Sequence, residues 1–384
     1  MMKKENYYLF VSYSIILIFI NYIIYKGLLS NYAYRGADFS DLQWSPSVLF
    51  FQGIDVYDAF YSGSLKQLIN LSGFPNYSTG SIYLHLPLAK INFEQAKIFW
   101  LILFNFLMML NYLILKNYSK IKEIKIFFIF LILIISKPYI WLLSSGQFSI
   151  ISISSFIIYF FYIKRTRLIA LYLISIKYSF APFVFFYSLF KNKEKNYTIL
   201  IVLISIFFVF HYSYYFDSNF FNNLLAPIYI GKLTSASGVA DLQTIIGNHP
   251  KNDFVRYFIL LILSLLTFIF FYKITKRDLT FDISICCLLT LMFFKHLYYD
   301  YVLLIPLIIF CLDKKKIVLR AVVIFIVLYF WFFYINSFTI LHLYSKVFVI
   351  FNFFLLLLAL ITLVLFNLNS KGKILLKKFK NILH

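Results

Sequence analysis

Charged residues are scarce in this sequence, and that scarcity indicates the solvent in which it folds. Only 13% of the 384 residues are charged, whereas 62% are hydrophobic and 22% are aromatic. A soluble globular domain has about a quarter of its residues charged and about half apolar. The composition excludes a water-soluble globule and predicts an all-α, polytopic membrane protein, with a mean hydropathy of +0.84.

Cysteine is rare as well. Cys286 and Cys287 are adjacent, Cys311 stands alone, and all three lie in apolar segments. This spacing fits neither a disulfide framework nor a cysteine-based metal site. We interpret the cysteines as packing residues that face lipid or the protein core, and we predict no bound metal or cofactor.

Acidic residues are the scarcest charge: 15 against 36 lysines and arginines, a net charge of +21. Of the basic residues, 24 fall in seven short clusters, at Lys3–Lys4, 116–125, 164–167, 191–195, 273–277, 314–320 and 371–380. Short cytoplasmic loops of membrane proteins collect such residues, and anionic lipids of the inner leaflet meet them there. The positive charge therefore predicts a lipid bilayer as partner and no nucleic acid.

Long apolar runs are abundant. Ten of them approach the roughly 20 residues that cross a bilayer, at about 7–29, 98–115, 126–143, 148–163, 197–216, 254–272, 279–294, 301–312, 317–335 and 347–367. The first run is too long for a signal-peptide core and lacks a cleavage site. The run 168–190 has basic clusters on both sides, so we predict a re-entrant hairpin that bends near Lys177 and Pro182.

This topology makes residues 1–384 one integral-membrane domain with about ten spanning helices. Both termini are predicted to be cytoplasmic, and 368–384 forms a basic tail with the pattern of an interfacial helix. Two long segments, 30–97 and 217–253, then lie outside the cell. We predict a multi-pass protein of the plasma membrane with an extracytoplasmic active site.

Segment 30–97 contains signals of ordered structure. Ser40 with Gln43 fits a capping box, Ser45-Pro46 is an alternative helix start, and Gly53 fits a stop. The stretch LQWSPSVLFFQG is thus predicted to be a short amphipathic helix at the membrane surface, with Trp44 at headgroup level. Asn92 and Gln95 form a further capping-box pattern, which predicts the start of the next membrane helix.

Four of the 15 acidic residues crowd into this segment, at Asp38, Asp41, Asp55 and Asp58. Asp38 follows the first apolar run closely, so it is predicted to lie at the mouth of the helix bundle as a proton acceptor for a substrate hydroxyl. The other three have two interpretations that stay open. They form helix caps and turns, or the pairs spaced three residues apart share a divalent cation.

Polar residues at the ends of apolar runs are the second signal, because charges inside a membrane usually face a cavity or a partner. Gly146-Gln147 follow the third run, Lys177 lies at the hairpin bend, and FFKHLYYDY contains Lys295, His296 and Asp300. We predict that these residues line one outward-facing polar cavity opposite Asp38.

The order of these motifs resembles glycosyltransferase family 87 of the GT-C superfamily, which includes polyprenyl-phosphate-mannose-dependent mannosyltransferases. The resemblance rests on Asp38-Phe39, on Gly53 to Tyr57 (GIDVY), on SSGQFSIIS at 144–152, on SIKYSFAP at 175–182, and on the His-aromatic turn at 296–301. It covers most of the chain in order and implies a GT-C-like helix bundle.

The resemblance also implies an activity. A hexose such as mannose would pass, with inversion, from a polyprenyl-phosphate donor to the hydroxyl of a glycolipid or glycan acceptor. Asp38 would be the general base. Substrate would be bound by Asp41, Gly146, Gln147, Lys177, Lys295 and His296, and one of the cations would stabilise the departing phosphate.

Three other functions stay open at this stage. A transporter or flippase of lipid-linked sugars usually has repeated halves, and the sequence contains no such repeat. A polysaccharide polymerase or ligase is expected to have an arginine-rich external loop, whereas the predicted external segments have few arginines. A purely structural membrane protein would leave the aspartate cluster unexplained.

Overall fold

The protein is described here by a computed structural model. The described residues are 4–26, 43–64, 75–161, 166–190, 195–233, 239–247, 253–276, 278–314, 316–333, 345–370 and 372–374. Within these ranges the chain is helical and contains no β-strand; an isolated bridge joins Thr275 and Leu368. The all-α prediction is confirmed.

The helices, in chain order, are α1 (Lys4–Tyr25), α2 (Ser45–Phe51), α3 (Val56–Tyr61), α4 (Thr79–His85), α5 (Phe93–Tyr118), α6 (Glu123–Ile134), α7 (Lys137–Ser145), α8 (Ser149–Phe161), α9 (Thr166–Ile176), α10 (Ala181–Phe190), α11 (Lys195–Tyr215), α12 (Phe220–Leu233), α13 (Leu242–Ile246), α14 (Asp253–Ile274), α15 (Leu279–Phe293), α16 (Ile305–Asp313), α17 (Ile317–Leu328) and α18 (Ser345–Leu365). Two 3₁₀ helices are Leu86–Lys90 and Tyr298–Leu304, and Tyr329–Phe333 extends α17 as a π-turn.

Five helices in the described part are long and apolar enough to cross a bilayer: α1, α5, α11, α14 and α18. A sixth crossing arises if α6 and α7, bent by 62° at their junction, form one span. The predicted count of about ten is not confirmed. Every predicted run does contain helix. Several of these helices, α8 and α15 among them, have only 10–17 residues. At 1.5 Å per residue such a helix is shorter than the roughly 30 Å hydrocarbon layer.

Local sequence explains where several helices begin and end. The Asn92 side chain accepts a hydrogen bond from the backbone N–H of Gln95 at 2.9 Å, as the predicted cap of α5 requires. Ser136 caps α7, whose first turn contains Pro138, and Gly146 ends it with φ +73°. These residues supply the acceptor, the preset φ and the left-handed conformation that helix ends need.

The predicted bend at Lys177 is also present. Helix α9 ends at Ile176 and α10 begins at Ala181, with Pro182 in its first turn, where proline is tolerated. The turn is closed by a hydrogen bond from Phe180 N–H to Lys177 carbonyl oxygen at 2.9 Å. The chain therefore breaks its helix inside an apolar run and places a lysine at the break.

Helix α2 has the predicted position. It ends before Gly53, which has φ +76°, but Ser45 lies inside the helix and Trp44 precedes it without a side-chain cap. Five of its seven residues are buried, and Ser47 donates to the Ile82 carbonyl of α4 at 2.9 Å. One face of the helix therefore packs against α4 while Phe51 is 58% exposed, and its place at the membrane surface stays a prediction.

The centre of the molecule is formed by α8, α15 and the 3₁₀ helix Tyr298–Leu304. Every residue of α15 from Phe281 to Phe293 is buried, as is every residue of that 3₁₀ helix. All three cysteines are buried, which assigns them to the core. Polar side chains in this region must find partners inside the protein, and they converge at one place.

Candidate functional site

An ion pair lies at the break between α9 and α10. The Lys177 ammonium nitrogen is 2.7 Å from Oδ1 and 2.8 Å from Oδ2 of Asp300, in the 3₁₀ helix, and 2.6 Å from the Ser149 hydroxyl at the start of α8. Lys177 is 8% exposed, while Asp300 and Ser149 have no exposed surface. An ammonium has three N–H donors, so these three acceptors are enough to use them all.

His296 completes the cluster. Its Nδ1 lies 2.8 Å from Asp300 Oδ2, and the residue is 1% exposed. Burial raises the pKa of the Asp300 carboxyl, but Lys177 and the hydrogen bond to His296 outweigh burial and hold that pKa at about 2. Burial lowers the pKa of His296, and the contact with Asp300 offsets this only partly. The Asp300 carboxylate is thus held between the Lys177 and His296 side chains.

Aromatic rings enclose the ammonium. Lys177 Nζ lies 5.0 Å from the ring centroids of both Phe180 and Tyr299, within the distance of a cation–π contact. The Phe180 ring also packs edge-on against His296, with 4.9 Å between centroids. These rings cover part of the ammonium, which is 8% exposed at the residue level.

The ion pair opens onto a small cleft of about 50 Å³. Two lysines from different parts of the chain, Lys177 and Lys295, lie in its wall together with polar and aromatic side chains. The lining residues are Asn76, Tyr77, Lys177, Tyr178, Ser179, Lys295, Leu297, Tyr299 and Asp300. Asp300 balances the charge of Lys177, and Lys295 is a second lysine in the described part of this wall.

A larger apolar groove of about 280 Å³ adjoins the cleft. It runs between α4, the α9–α10 turn, α11 and α12, and Tyr178 lines both cavities. On α11, a candidate membrane span, Val202 and Ile206 line the groove and are each 41% exposed. The groove is therefore open on a side of the protein that a bilayer would cover.

No family model, curated protein or solved structure matches this chain. The resemblance to glycosyltransferase family 87 accordingly stays a prediction. The function must be argued from the chemistry of the cleft and the groove.

The predicted site residues are distributed around the cleft in different roles. Lys177 and Lys295 line it, as expected. His296 is not in its wall but lies behind Phe180 and contacts Asp300. Asp38 and Asp41 lie outside the described residues, so the predicted general base remains without a structural description.

Gly146 and Gln147 contact the protein rather than the cleft. Gln147 accepts a hydrogen bond from the Tyr77 hydroxyl at 2.9 Å, and the Gly146 carbonyl accepts one from Gln43 at 2.7 Å. Tyr57 in turn donates to the Tyr77 carbonyl at 2.9 Å. Both residues therefore anchor segment 30–97 to the α7–α8 turn, and Gln147 is bonded to Tyr77 of the cleft wall.

Asp55 has the capping role that was one of its two interpretations. Its Oδ1 accepts from the backbone N–H groups of Tyr57 and Asp58 and from the Tyr212 hydroxyl, at 2.9–3.1 Å. Asp58 is exposed in the first turn of α3. Among the described residues, no group of three histidines, cysteines or carboxylates is arranged to hold a metal ion.

Asp300 lies in the cleft wall, as predicted from the FFKHLYYDY stretch. Two further residues of the site, Ser149 and Tyr77, were not predicted individually. Ser149 and Tyr77 carry no comparable signal, because serines and tyrosines recur throughout the chain. Their roles follow from tertiary contacts alone.

Proposed function

We propose that this protein is an inverting membrane glycosyltransferase that moves a hexose, such as mannose, from a polyprenyl-phosphate donor to a hydroxyl of a glycolipid or glycan acceptor. The observation that carries the proposal is the position of Tyr178 between a cationic cleft and a lipid-accessible apolar groove. A polyprenyl phosphate has the same two parts, an anionic headgroup and a long apolar chain.

The headgroup fits the cleft by charge. A phosphate next to Lys295 would gain a charge-assisted hydrogen bond, and such bonds are stronger in a partly buried site than in bulk water. The Lys177–Asp300 pair adds a dipole whose positive end is the ammonium. The Asp300 carboxylate would repel a phosphate if it were unpaired, and the two contacts with Lys177 prevent this.

A sugar requires hydrogen-bond acceptors and flat apolar walls. Asn76 lines the cleft, and its Oδ1 atom is buried without a hydrogen bond in the described part of the chain. Tyr77 and Tyr299 provide aromatic surface beside it. A hexose hydroxyl bound to Asn76 would satisfy that oxygen, whose desolvation is otherwise unfavourable.

The reaction needs a base and a stabilised leaving group. The acceptor oxygen attacks the anomeric carbon as its proton passes to Asp38. The bond between that carbon and the phosphate oxygen breaks, and polyprenyl phosphate leaves with its charge stabilised by Lys295. The sugar's configuration inverts in this single displacement.

Mass spectrometry of envelope glycolipids and glycans tests the proposal. A deletion strain would carry the wild-type gene, an Asp38→Asn gene of equal expression, or neither. We expect one glycan to lose a single hexose in the deletion strain and to regain it only with wild type. Full restoration by Asp38→Asn would refute the base assignment. An unchanged glycan profile in the deletion strain would refute the transferase and favour a transporter of lipid-linked sugars.

A further inference from the structure

Asp241 is a buried carboxylate that the proposed reaction does not use. It caps α13, where its Oδ1 accepts a hydrogen bond from Thr244 N–H at 2.7 Å. The residue has no exposed surface, and Oδ2 is buried without a well-formed hydrogen bond in the described part of the chain. Such an atom is costly to leave unpaired when it is charged.

Asp241 belongs to a short stretch that packs on the cleft wall from behind. Val239 N–H donates to the His296 carbonyl at 3.2 Å, and Lys295 N–H donates to the Gln243 side-chain oxygen at 3.0 Å. Asn352 of α18 donates to the Val239 carbonyl at 3.0 Å. Residues 239–243 are thus hydrogen-bonded to Lys295, the second lysine of the cleft wall, and to its neighbour His296.

The charged and titratable groups that face the Asp241 carboxylate are few. Lys295 attracts it, the backbone of His296 contributes a weaker hydrogen bond, and the Tyr178 hydroxyl is near enough to interact. Burial raises the pKa of Asp241 to about 7, with Thr244 and Lys295 opposing the rise. Burial likewise lowers the pKa of Lys295, and Asp241 opposes that fall.

We propose that binding of a phosphate-type anion at Lys295 is coupled to the uptake of one proton by Asp241. An anion in the cleft competes with the Asp241 carboxylate for one ammonium group. The buried carboxylate has no other cation among the described residues that face it, so accepting a proton from water costs less than remaining charged next to a second anion. The neutral acid leaves Lys295 to the ligand.

This inference rests on the proposed function only in taking an anionic headgroup as the ligand of the cleft. It adds a direction of pH dependence. Binding weakens as pH rises above the pKa of Asp241 in the empty cleft, by up to about tenfold per pH unit, because each binding event then requires a proton.

Isothermal titration calorimetry of the full chain in detergent measures the proton directly. The probe is citronellyl sulfate, whose charge is constant over the tested range of about pH 6 to about pH 8.5. Titrations in buffers with different ionisation enthalpies give the number of protons bound. At about pH 8 we expect wild type to take up close to one proton. Asp241→Asn should bind the probe with clearly less uptake than wild type and with a weaker dependence of affinity on pH.

Two features keep the test interpretable. Asparagine is as good a helix cap as aspartate, so Asp241→Asn retains the start of α13. Asp278 caps α15 in the same way, at the end of that helix opposite to Lys295, and Asp278→Asn is the matched control that should take up protons like wild type.

The outcomes separate the inference from the proposed function. Binding without proton uptake in wild type, or the same uptake in Asp241→Asn, overturns the coupling and leaves the transferase proposal standing. Proton-coupled binding together with no missing hexose in the deletion strain supports the coupling and overturns the transferase proposal. If wild type does not bind the probe at all, the cleft is not an anion-binding site and both proposals fail.

Discussion

The Lys177 ammonium contacts both carboxylate oxygens of Asp300, at 2.7 and 2.8 Å, although the two residues are 123 positions apart in the chain. This contact joins the break between α9 and α10 to the buried 3₁₀ helix that follows α15. It also orients a positive charge toward the cleft while cancelling most of its long-range field.

Breaking this pair should be strongly destabilising. Asp300→Asn leaves a buried ammonium without a counter-ion, which typically lowers the free energy of unfolding by about 3–5 kcal/mol. The double variant Lys177→Met/Asp300→Asn removes both charges and should recover part of the loss. Denaturant unfolding in mixed micelles measures both. A double variant that loses as much as the sum of its single variants would show that the pair is not coupled.

Lys295 should affect substrate binding more than folding. Lys295→Met removes the cation that is next to the proposed phosphate, so we expect KM for the lipid donor to rise at least about tenfold, since a charge-assisted bond contributes about 1.5–3 kcal/mol. Lys97→Met is the control. Lys97 pairs with the exposed Glu94 on the surface of α5, and its loss should leave KM unchanged. Equal effects of the two substitutions would contradict the assigned role of Lys295.

The groove should discriminate donors by chain length. Ser205 lines it, whereas Leu203, two residues earlier on α11, lies outside it and is 57% exposed. Ser205→Trp should fill the groove and reduce activity with a long polyprenyl donor far more than with a short analogue. Leu203→Trp should leave both activities near wild type. An equal loss with both donors in Ser205→Trp would place the apolar chain elsewhere.

His85 predicts a pH dependence of stability. It is 4% exposed, and its Nδ1 lies 2.7 Å from the Ser81 carbonyl. Burial lowers its pKa to about 4, with the Ser81 contact opposing the fall. Below the unfolded value of about 6.5 the unfolded state binds more protons, so stability decreases as pH falls from about 6.5 to about 4, by at most about 3 kcal/mol.

Thermal unfolding across that range provides the check. His85→Gln should reduce the decrease in stability between about pH 6.5 and about pH 4. His211→Gln, at an exposed position of α11, should leave that decrease as in wild type. If the His85→Gln profile keeps the slope of wild type, the imidazole is not the group that titrates.

Sequence pattern predicted much of this architecture for a physical reason: apolar length and helix-capping residues act locally. The cap at Asn92, the break at Lys177 and the end of α2 before Gly53 all follow from short-range rules. The number of spans did not follow, because a run such as 279–294 has the same composition whether it crosses lipid or is buried in protein. The contact of α2 with α4 did not follow either, since the two helices are distant in sequence.

The candidate site shows the same division between what local sequence predicts and what depends on long-range packing. Lys177 and Lys295 were predicted because charges in apolar runs are costly and therefore conspicuous. The pairing of Lys177 with Asp300 and Ser149 depends on how three helices pack, which no local pattern encodes. Gln147 was predicted to touch substrate, yet its described contact is with Tyr77, because a buried amide is satisfied equally well by a neighbouring hydroxyl.

The central claim is that the cleft and the groove together hold a polyprenyl phosphate. Native mass spectrometry of protein released gently from membranes tests it most directly. We predict that wild type and Lys97→Met retain a lipid with the mass of a polyprenyl phosphate or its hexosyl form, and that Lys295→Met and Ser205→Trp lose it. Retention of the same lipid by Lys295→Met and Ser205→Trp, at the level seen in wild type, would contradict the claim.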